Sequence, residues 1–326
     1  MVNIDVIMKQ KIIILAALTV LLVLIIFAVK DFFFSKPGNS NPYEFELDKV
    51  RTGDTSMAVW AETHQFKTTL EEIHGITTDA SGTIYISGKD AVEMLDAEGK
   101  ETGKFPVEGT AFCIALNQEG NLLLGMLDHI EIWNNAGKQL SRWNSCGSDA
   151  VITSIATRGN NVFVADAGQK VVYRYDKKGN LLNKIGLKDP ATGVPGFIIP
   201  SAYFDLGISN DGNLWVVNPG RHSFEKYTFD GKILTSWGKA SMAMEGFCGC
   251  CNPSNFAMLN DSLFVTSEKA IERVKIYNAD GSFNSIVATP DLFEPGTKGL
   301  DLAVDKQNRI LVLDPVKLMV HVFEPK

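Results

Sequence analysis

Three cysteines fall within four residues, Cys248, Cys250 and Cys251, in the segment EGFCGCCNPSN from Glu245 to Asn255. Thiols at that density support three kinds of chemistry. They can pair as disulfides that pin a loop, which an oxidising compartment permits, and a total of five cysteines then leaves at least one thiol over. They can bind a soft metal ion, since Cys248-x-x-Cys251 has the ligand spacing of zinc and iron–sulfur sites and thiolates favour zinc or copper(I). They can also cycle as a redox dithiol. Covalent haem does not fit, because Asn252 and not histidine follows Cys251. No second Cys-x-x-Cys exists, so any further ligands come from single residues, and Cys146, Cys113 and His74 are the candidates.

A second group of residues points to binding. Arg221 and His222 stand between Gly220 and Ser223 as a polar pair with no evident structural duty. Asn218, Glu268, Lys269 and His129 occupy comparable turn segments. Asp166, Asp176, Asp280 and Asp305 have a blander reading, as turn residues whose carboxylates accept backbone N–H bonds. There is no Ser-His-Asp order, phosphate loop or His-Glu-x-x-His. The formal net charge of -7 and the lack of a Lys/Arg run argue against nucleic acid as a partner.

The elements that must position these residues repeat. Between His74 and Lys326 the chain runs six times through an apolar strand, a polar turn, a second strand, a loop, a third strand and a turn. Equivalent positions fall at His74, Phe112, Thr153, Phe204, Asn255 and Leu300, with spacings of 38 to 51 residues. Several strands per unit at that period predict a β-propeller, all-β, with six blades. The last unit stops after its third strand, so its outer strand must come from ahead of the first repeat. Tyr43 to Val50 and Ala58 to Phe66 are the two candidates. Loops from outer to next inner strand share a face with the loops between second and third strands. The two longest connections, Gly186 to Tyr203 and Lys239 to Ser254, lie there, and loops of that length in a compact repeat are usually functional. The mouth of the central channel on that face is the expected site, with all five cysteines near it.

The units resemble the NHL-repeat family of six-bladed propellers. The resemblance rests on Gly75-Ile76, Asp79, Gly82-Thr83-Ile84-Tyr85-Ile86, Val162-Phe163-Val164-Ala165-Asp166, Val172-Tyr173-Arg174-Tyr175-Asp176 and Lys275-Ile276-Tyr277. It covers about Tyr43 to Lys326. The CGCCNP block is similar to one that recurs in a bacterial, membrane-anchored branch of such proteins. The family includes ligand binders, docking platforms, lyases and sensor domains, so the resemblance implies a fold and leaves the function open. Lactonase-like propellers hold a divalent cation through Glu, Asn and Asp. The matching set here is Asp205 and Asp301, at equivalent inner-strand positions, with Glu268 and Asn218.

At the N-terminus, Ile12 to Val29 is free of charge, is flanked by Lys9, Lys11, Lys30 and Asp31, and continues into Phe32-Phe33-Phe34. That length spans a bilayer, and no small-x-small cleavage site follows. The expected organisation is a tail over 1–11, a transmembrane signal anchor over 12–34, a flexible linker over 35–42 and a propeller over 43–326. The basic residues flanking the span are nearly balanced, and the short N-terminal tail favours a propeller outside the cytoplasm. The function expected is a single-pass, membrane-anchored, extracytoplasmic propeller that binds a small ligand or partner protein through its loop-rich face. Zinc, copper or iron at the cysteine loop, or a divalent cation in the mouth, are the cofactor expectations. A metal-dependent hydrolase or lyase, or a redox accessory protein, is the alternative.

Overall fold

The computed structural model describes residues 57–326 except Cys250, Cys251, Asp261 and Ala270, together with 15, 17–23, 25–26 and 30 near the N-terminus. The chain divides into two units, Met1–Glu46 and Leu47–Lys326. In the first, the described residues are helical, with the Thr19 hydroxyl donating to the Leu15 carbonyl at 2.9 Å. Among the described residues no helix is long and apolar enough to cross a membrane. Most of the span expected over 12–34, the whole linker over 35–42 and the closing-strand candidate Tyr43 to Val50 lie outside the described residues.

In the second unit the described strands fall into six antiparallel sheets. Blade 1 comprises β2 (Ile73–Thr78), β3 (Ile84–Leu95) and β4 (Glu101–Thr110). Its long β3 fills two positions, because Ile84 to Gly88 pairs with β2 and Lys89 to Leu95 pairs with β4. Blade 2 is β5 (Cys113–Leu116), β6 (Leu122–Gly125), β7 (Ile130–Trp133) and β8 (Gln139–Arg142). Blade 3 is β9 (Ile152–Arg158), β10 (Asn161–Asp166), β11 (Val171–Asp176) and β12 (Leu181–Ile185). Blade 4 is β13 (Leu206–Ile208), β14 (Leu214–Asn218), β15 (Ser223–Tyr227) and β16 (Ile233–Trp237). Blade 5 is β17 (Phe256–Leu259), β18 (Leu263–Ser267), β19 (Val274–Asn278) and β20 (Phe283–Ala288).

Blade 6 closes the ring. It combines β21 (Asp301–Val304), β22 (Ile310–Asp314) and β23 (Met319–Pro325) with β1 (Trp60–Lys67), which pairs antiparallel to β23. The second of the two expected segments therefore supplies the outer strand. The innermost strands β2, β5, β9, β13, β17 and β21 neighbour one another in cyclic order. This is a six-bladed β-propeller.

Its two faces are built from different chemistry. On one, Asp/Asn-x-x-Gly turns join first to second and third to outer strands. Asp79, Asp96, Asn117, Asn134 and Asp176 each accept the backbone N–H groups two and four residues on. The glycine that ends such a turn takes positive φ, as at Gly120 (78°) and Gly179 (86°), where a side chain would be strained. Asp305 does the same with Asn308 in the left-handed position. The turn reading of Asp176 and Asp305 thus holds. The opposite face carries the long loops.

Between the blades, strand residues that alternate inward build the core. Trp215 and Trp237 pack with Phe224 and Phe264 between blades 4 and 5, Trp133 stacks on Phe105, and Trp143 lies against Tyr175. Those four tryptophans are packing residues, as the strand pattern implies.

Candidate functional site: the channel mouth

The inner strands and the residue just ahead of β13 and β17 place one residue per blade in a ring at the same register: Gly75, Cys113, Ser154, Asp205, Asn255 and Asp301. Five of these line a channel cavity of ≈ 180 Å³. The Asp205 carboxylate staples three blades. It accepts the Ser154 hydroxyl at 2.6 Å, its neighbour Leu206 N–H at 2.8 Å and Phe256 N–H at 2.7 Å. Asp301 accepts Ile76 N–H from blade 1 at 2.9 Å and the Asn255 amide of blade 5 at 3.3 Å. The other end of that amide, Asn255 Oδ1, is buried without a hydrogen-bond partner.

These carboxyls sit far above the ordinary carboxylate range. Burial pushes Asp205 up to about 6, against the pull of Ser154 and the two backbone donors. Burial, reinforced by the charge of Asp205, pushes Asp301 up to about 7, although Ile76, Leu302 and Asn255 hydrogen-bond its charged form. The same burial and the same two carboxylates drive the Cys113 thiol upward, so it is protonated and a poor nucleophile.

Outside this ring the channel widens into a mouth of ≈ 330 Å³ that shares His74, Phe112, Thr153 and Asn255 with the inner cavity. Tyr203, Ala202, Lys298 and Glu72 complete its wall and rim. His74 Nε2 meets Glu72 Oε1 at 2.8 Å, and its ring lies 5.1 Å from that of Phe112. The mouth thus joins aromatic walls to a floor of two coupled carboxyls.

The structure brings together Asp205, Asp301, His74 and Cys113, and sends the remaining expected residues elsewhere. Asn218 is fully buried in blade 4. It accepts Ile198 N–H at 2.9 Å and donates to Gly196 O and to Glu225 Oε1, so it ties a long loop to the blade wall. Arg221 donates to Pro195 O at 3.4 Å. His222, in left-handed conformation after a 3₁₀ turn, meets the Asn252 carbonyl at 3.2 Å and so braces the cysteine loop. The pair does have a structural duty. Lys269 is bonded to Asn252 Oδ1 through its backbone and to Ser201 Oγ through its ammonium, 5.0 Å from the Tyr203 ring. His129 is buried between Asp128, at 2.6 Å, and Glu131, at 3.5 Å. None of these five lines the mouth, and neither does Glu268; Asn218 and Glu268 are buried inside the blade walls and cannot join an oxygen-ligand set with Asp205 and Asp301.

Glu268 belongs to a buried ionic cluster in blade 5. Its Oε2 accepts Arg273 Nε at 2.8 Å and lies 3.3 Å from Lys275 Nζ, which also donates to the carbonyls of Met244 and Gly246 in the cysteine loop. Burial pulls Lys275 down to about 8 in spite of Glu268. Cys248, in that loop, is raised by its own burial and then by Glu268.

The three described cysteines do not converge. Cys113, Cys146 and Cys248 have free thiols. Cys146 sits 3.4 Å from the Tyr175 hydroxyl between blades 2 and 3, Cys113 faces the channel, and Cys250 and Cys251 lie outside the described residues. Among the described residues no three His, Cys, Asp or Glu side chains come together as a metal site, and no disulfide forms.

Several site residues escaped sequence reasoning. Phe112 and Asn255 served there only as repeat markers, and Tyr203 and Lys298 gave no local signal. A buried polar side chain at the same third-strand position of every blade (Glu93, Glu131, Tyr173, Glu225, Lys275, His321) was legible from the repeat alignment alone.

No family model matches the sequence, and no curated protein matches it. Solved structures do match the fold. A streptogramin B lyase superposes with a TM-score of 0.58 at 13% identity, over 83% of this chain and 100% of that one. Virginiamycin B lyase from Staphylococcus aureus gives 0.52 at 14%, over 82% and 89%. The WD40 propeller domain of Doa1 gives 0.55 at 12%, over 78% and 79%. Likeness at such identities establishes the propeller scaffold and nothing of the site.

Proposed function

We propose that this chain is a membrane-anchored, extracytoplasmic, NHL-type propeller whose task is to bind a small ligand in the mouth over Asp205 and Asp301. The observation that carries this reading is the continuity of the two cavities. An open, aromatic-walled vestibule leads through four shared residues to buried, acceptor-rich carboxyls, which is the usual composition of a small-molecule site. The anchor rests on the uncharged run from Ile12 to Val29. The test uses the full-length protein in detergent and a fragment library read by thermal shift. Fragments that stabilise the wild type should lose that effect in Ala202→Trp, which fills the exposed rim. Stabilisation that survives the block unchanged would place binding elsewhere.

A second reading, acid–base catalysis in the same mouth, is favoured by one observation: Asp301 is poised at about 7, where a carboxyl can both give and take a proton. The cysteine loop is read as a thiolate or disulfide element that shapes the rim. Metal content of the protein purified without chelator checks this, since zinc, copper or iron at one per chain should vanish on Cys248→Ser with Cys251→Ser, and metal that remains sinks the thiolate version.

A further inference from the structure

The hydrogen-bond inventory of the channel floor is lopsided. The donors there are already engaged: the Ser154 hydroxyl and the N–H groups of Leu206 and Phe256 on Asp205, and Ile76 N–H and the Asn255 amide on Asp301. What remains is acceptor capacity. A carboxylate offers about four lone-pair positions, of which Asp301 uses at most three, on Ile76, Leu302 and Asn255, and Asn255 Oδ1 uses none. The Cys113 thiol beside them is only a weak donor. No lysine or arginine lines the inner cavity; Lys298 stands at the exposed rim, Lys269 lies beyond Tyr203, and Glu72 is occupied with His74.

The floor therefore wants a group with several donors, no acceptor and a positive charge. Above it the wall is aromatic, with Phe112 and His74 ring to ring on one side and Tyr203 in the same cavity. Aromatic faces favour organic cations and flat apolar bodies.

We propose that the mouth takes a small primary amine on an aromatic body, its ammonium over the Asp205 and Asp301 carboxyls and its ring among Phe112, His74 and Tyr203. This rests on the reading of the mouth as a ligand site and adds the ligand's chemical class. An ammonium supplies three donors and no acceptor, which matches the inventory. A bare metal ion fits less well, since no three ligand side chains converge among the described residues. The state of the floor without ligand also agrees. Asp301 and Asp205 are only partly ionised at neutral pH, and a cation above them restores their charge and releases a proton.

Calorimetry on the full-length protein in detergent tests it with three probes that share one body: 2-phenylethylamine, 2-phenylethanol and phenylacetate. The amine should bind about tenfold or more tightly than the alcohol, as expected for hydrogen bonds to charged partners, and phenylacetate should not bind. Asp301→Asn should bring amine and alcohol close together, while Phe112→Ala, at an exposed position, should weaken both alike. Because Asp301 also holds Ile76, a variant-free arm accompanies these: the amine-to-alcohol ratio of the wild type should grow as pH rises through 6 to 7. His74 is the other ionisable side chain facing the floor, and the Cys113 thiol stays protonated throughout. Equal binding of alcohol or phenylacetate, or a ratio flat with pH, overturns the charge assignment and leaves the mouth as a ligand site. Failure of all three to bind overturns the aryl-amine class, and the Ala202→Trp comparison then judges the mouth by itself.

Discussion

Asp205 and Asp301 show how one residue type can serve structure and site together. Each carboxyl staples neighbouring blades, yet each is held at a pKa where its charge is costly. For Asp301 the folded value, about 7, lies above the ordinary carboxyl value of 3.8, so the folded state binds the proton more tightly. Its stabilising contribution is complete below about pH 4 and is lost as pH rises through about 7. Asp301→Asn, which keeps an acceptor for Ile76 N–H, should therefore be stabilising at pH 8, by ~2 kcal/mol after discounting for its partial exposure, and near neutral at pH 4. Thermal unfolding at the two pH values checks this. A variant less stable than wild type at pH 8 would mean that the carboxylate, and not the neutral acid, is the form the fold prefers. The sequence showed these aspartates as a matched pair. It could not show that Asn218 and Glu268 turn into the blade walls, because a polar residue at a strand end looks the same whether its partner is a ligand or a loop carbonyl.

At the scale of elements, the closing strand carries a titratable clasp. His321 on β23 reaches Glu62 of β1 at 2.7 Å and lies 3.7 Å from Asp314 of β22. Burial by itself lowers the pKa of this imidazole, but the Asp314 carboxylate beside it and the Glu62 hydrogen bond and charge outweigh it and the net shift is upward. The other rings packed on it, Phe293 and Phe323, are uncharged. A raised histidine pKa contributes stability fully below the unfolded value near 6.5 and loses it as pH rises through the folded one. Glu62→Gln should then destabilise the propeller by about 1 kcal/mol at pH 6 and by less at pH 9. Denaturant midpoints at both pH values decide it, and an equal loss at both would remove the ionic component. The strand itself was legible as one of two candidates, since three strands in the last repeat require a fourth. The clasp was not, because residues 62 and 321 meet only once the ring has closed.

Across the whole molecule, the repeat dictated most of what was legible. A period of 38 to 51 residues with Asp/Asn-x-x-Gly turns gives six blades without reference to any long-range contact. The mouth followed in outline from loop length, but its walls did not. Phe112, Tyr203 and Lys298 come from three different blades, and only the cyclic order of the inner strands makes them neighbours. The cysteines illustrate the converse. Closeness in sequence and a shared face suggested convergence, whereas the ring sets Cys113, Cys146 and Cys248 in separate places. The most direct measurement is hydrogen exchange on the full-length protein with and without a fragment identified by thermal shift. Protection concentrated in 202–206, 255–257 and 299–302 is the predicted result. Protection confined to 240–254 or 128–131, with the inner strands unchanged, would contradict the assignment of the channel mouth as the working site.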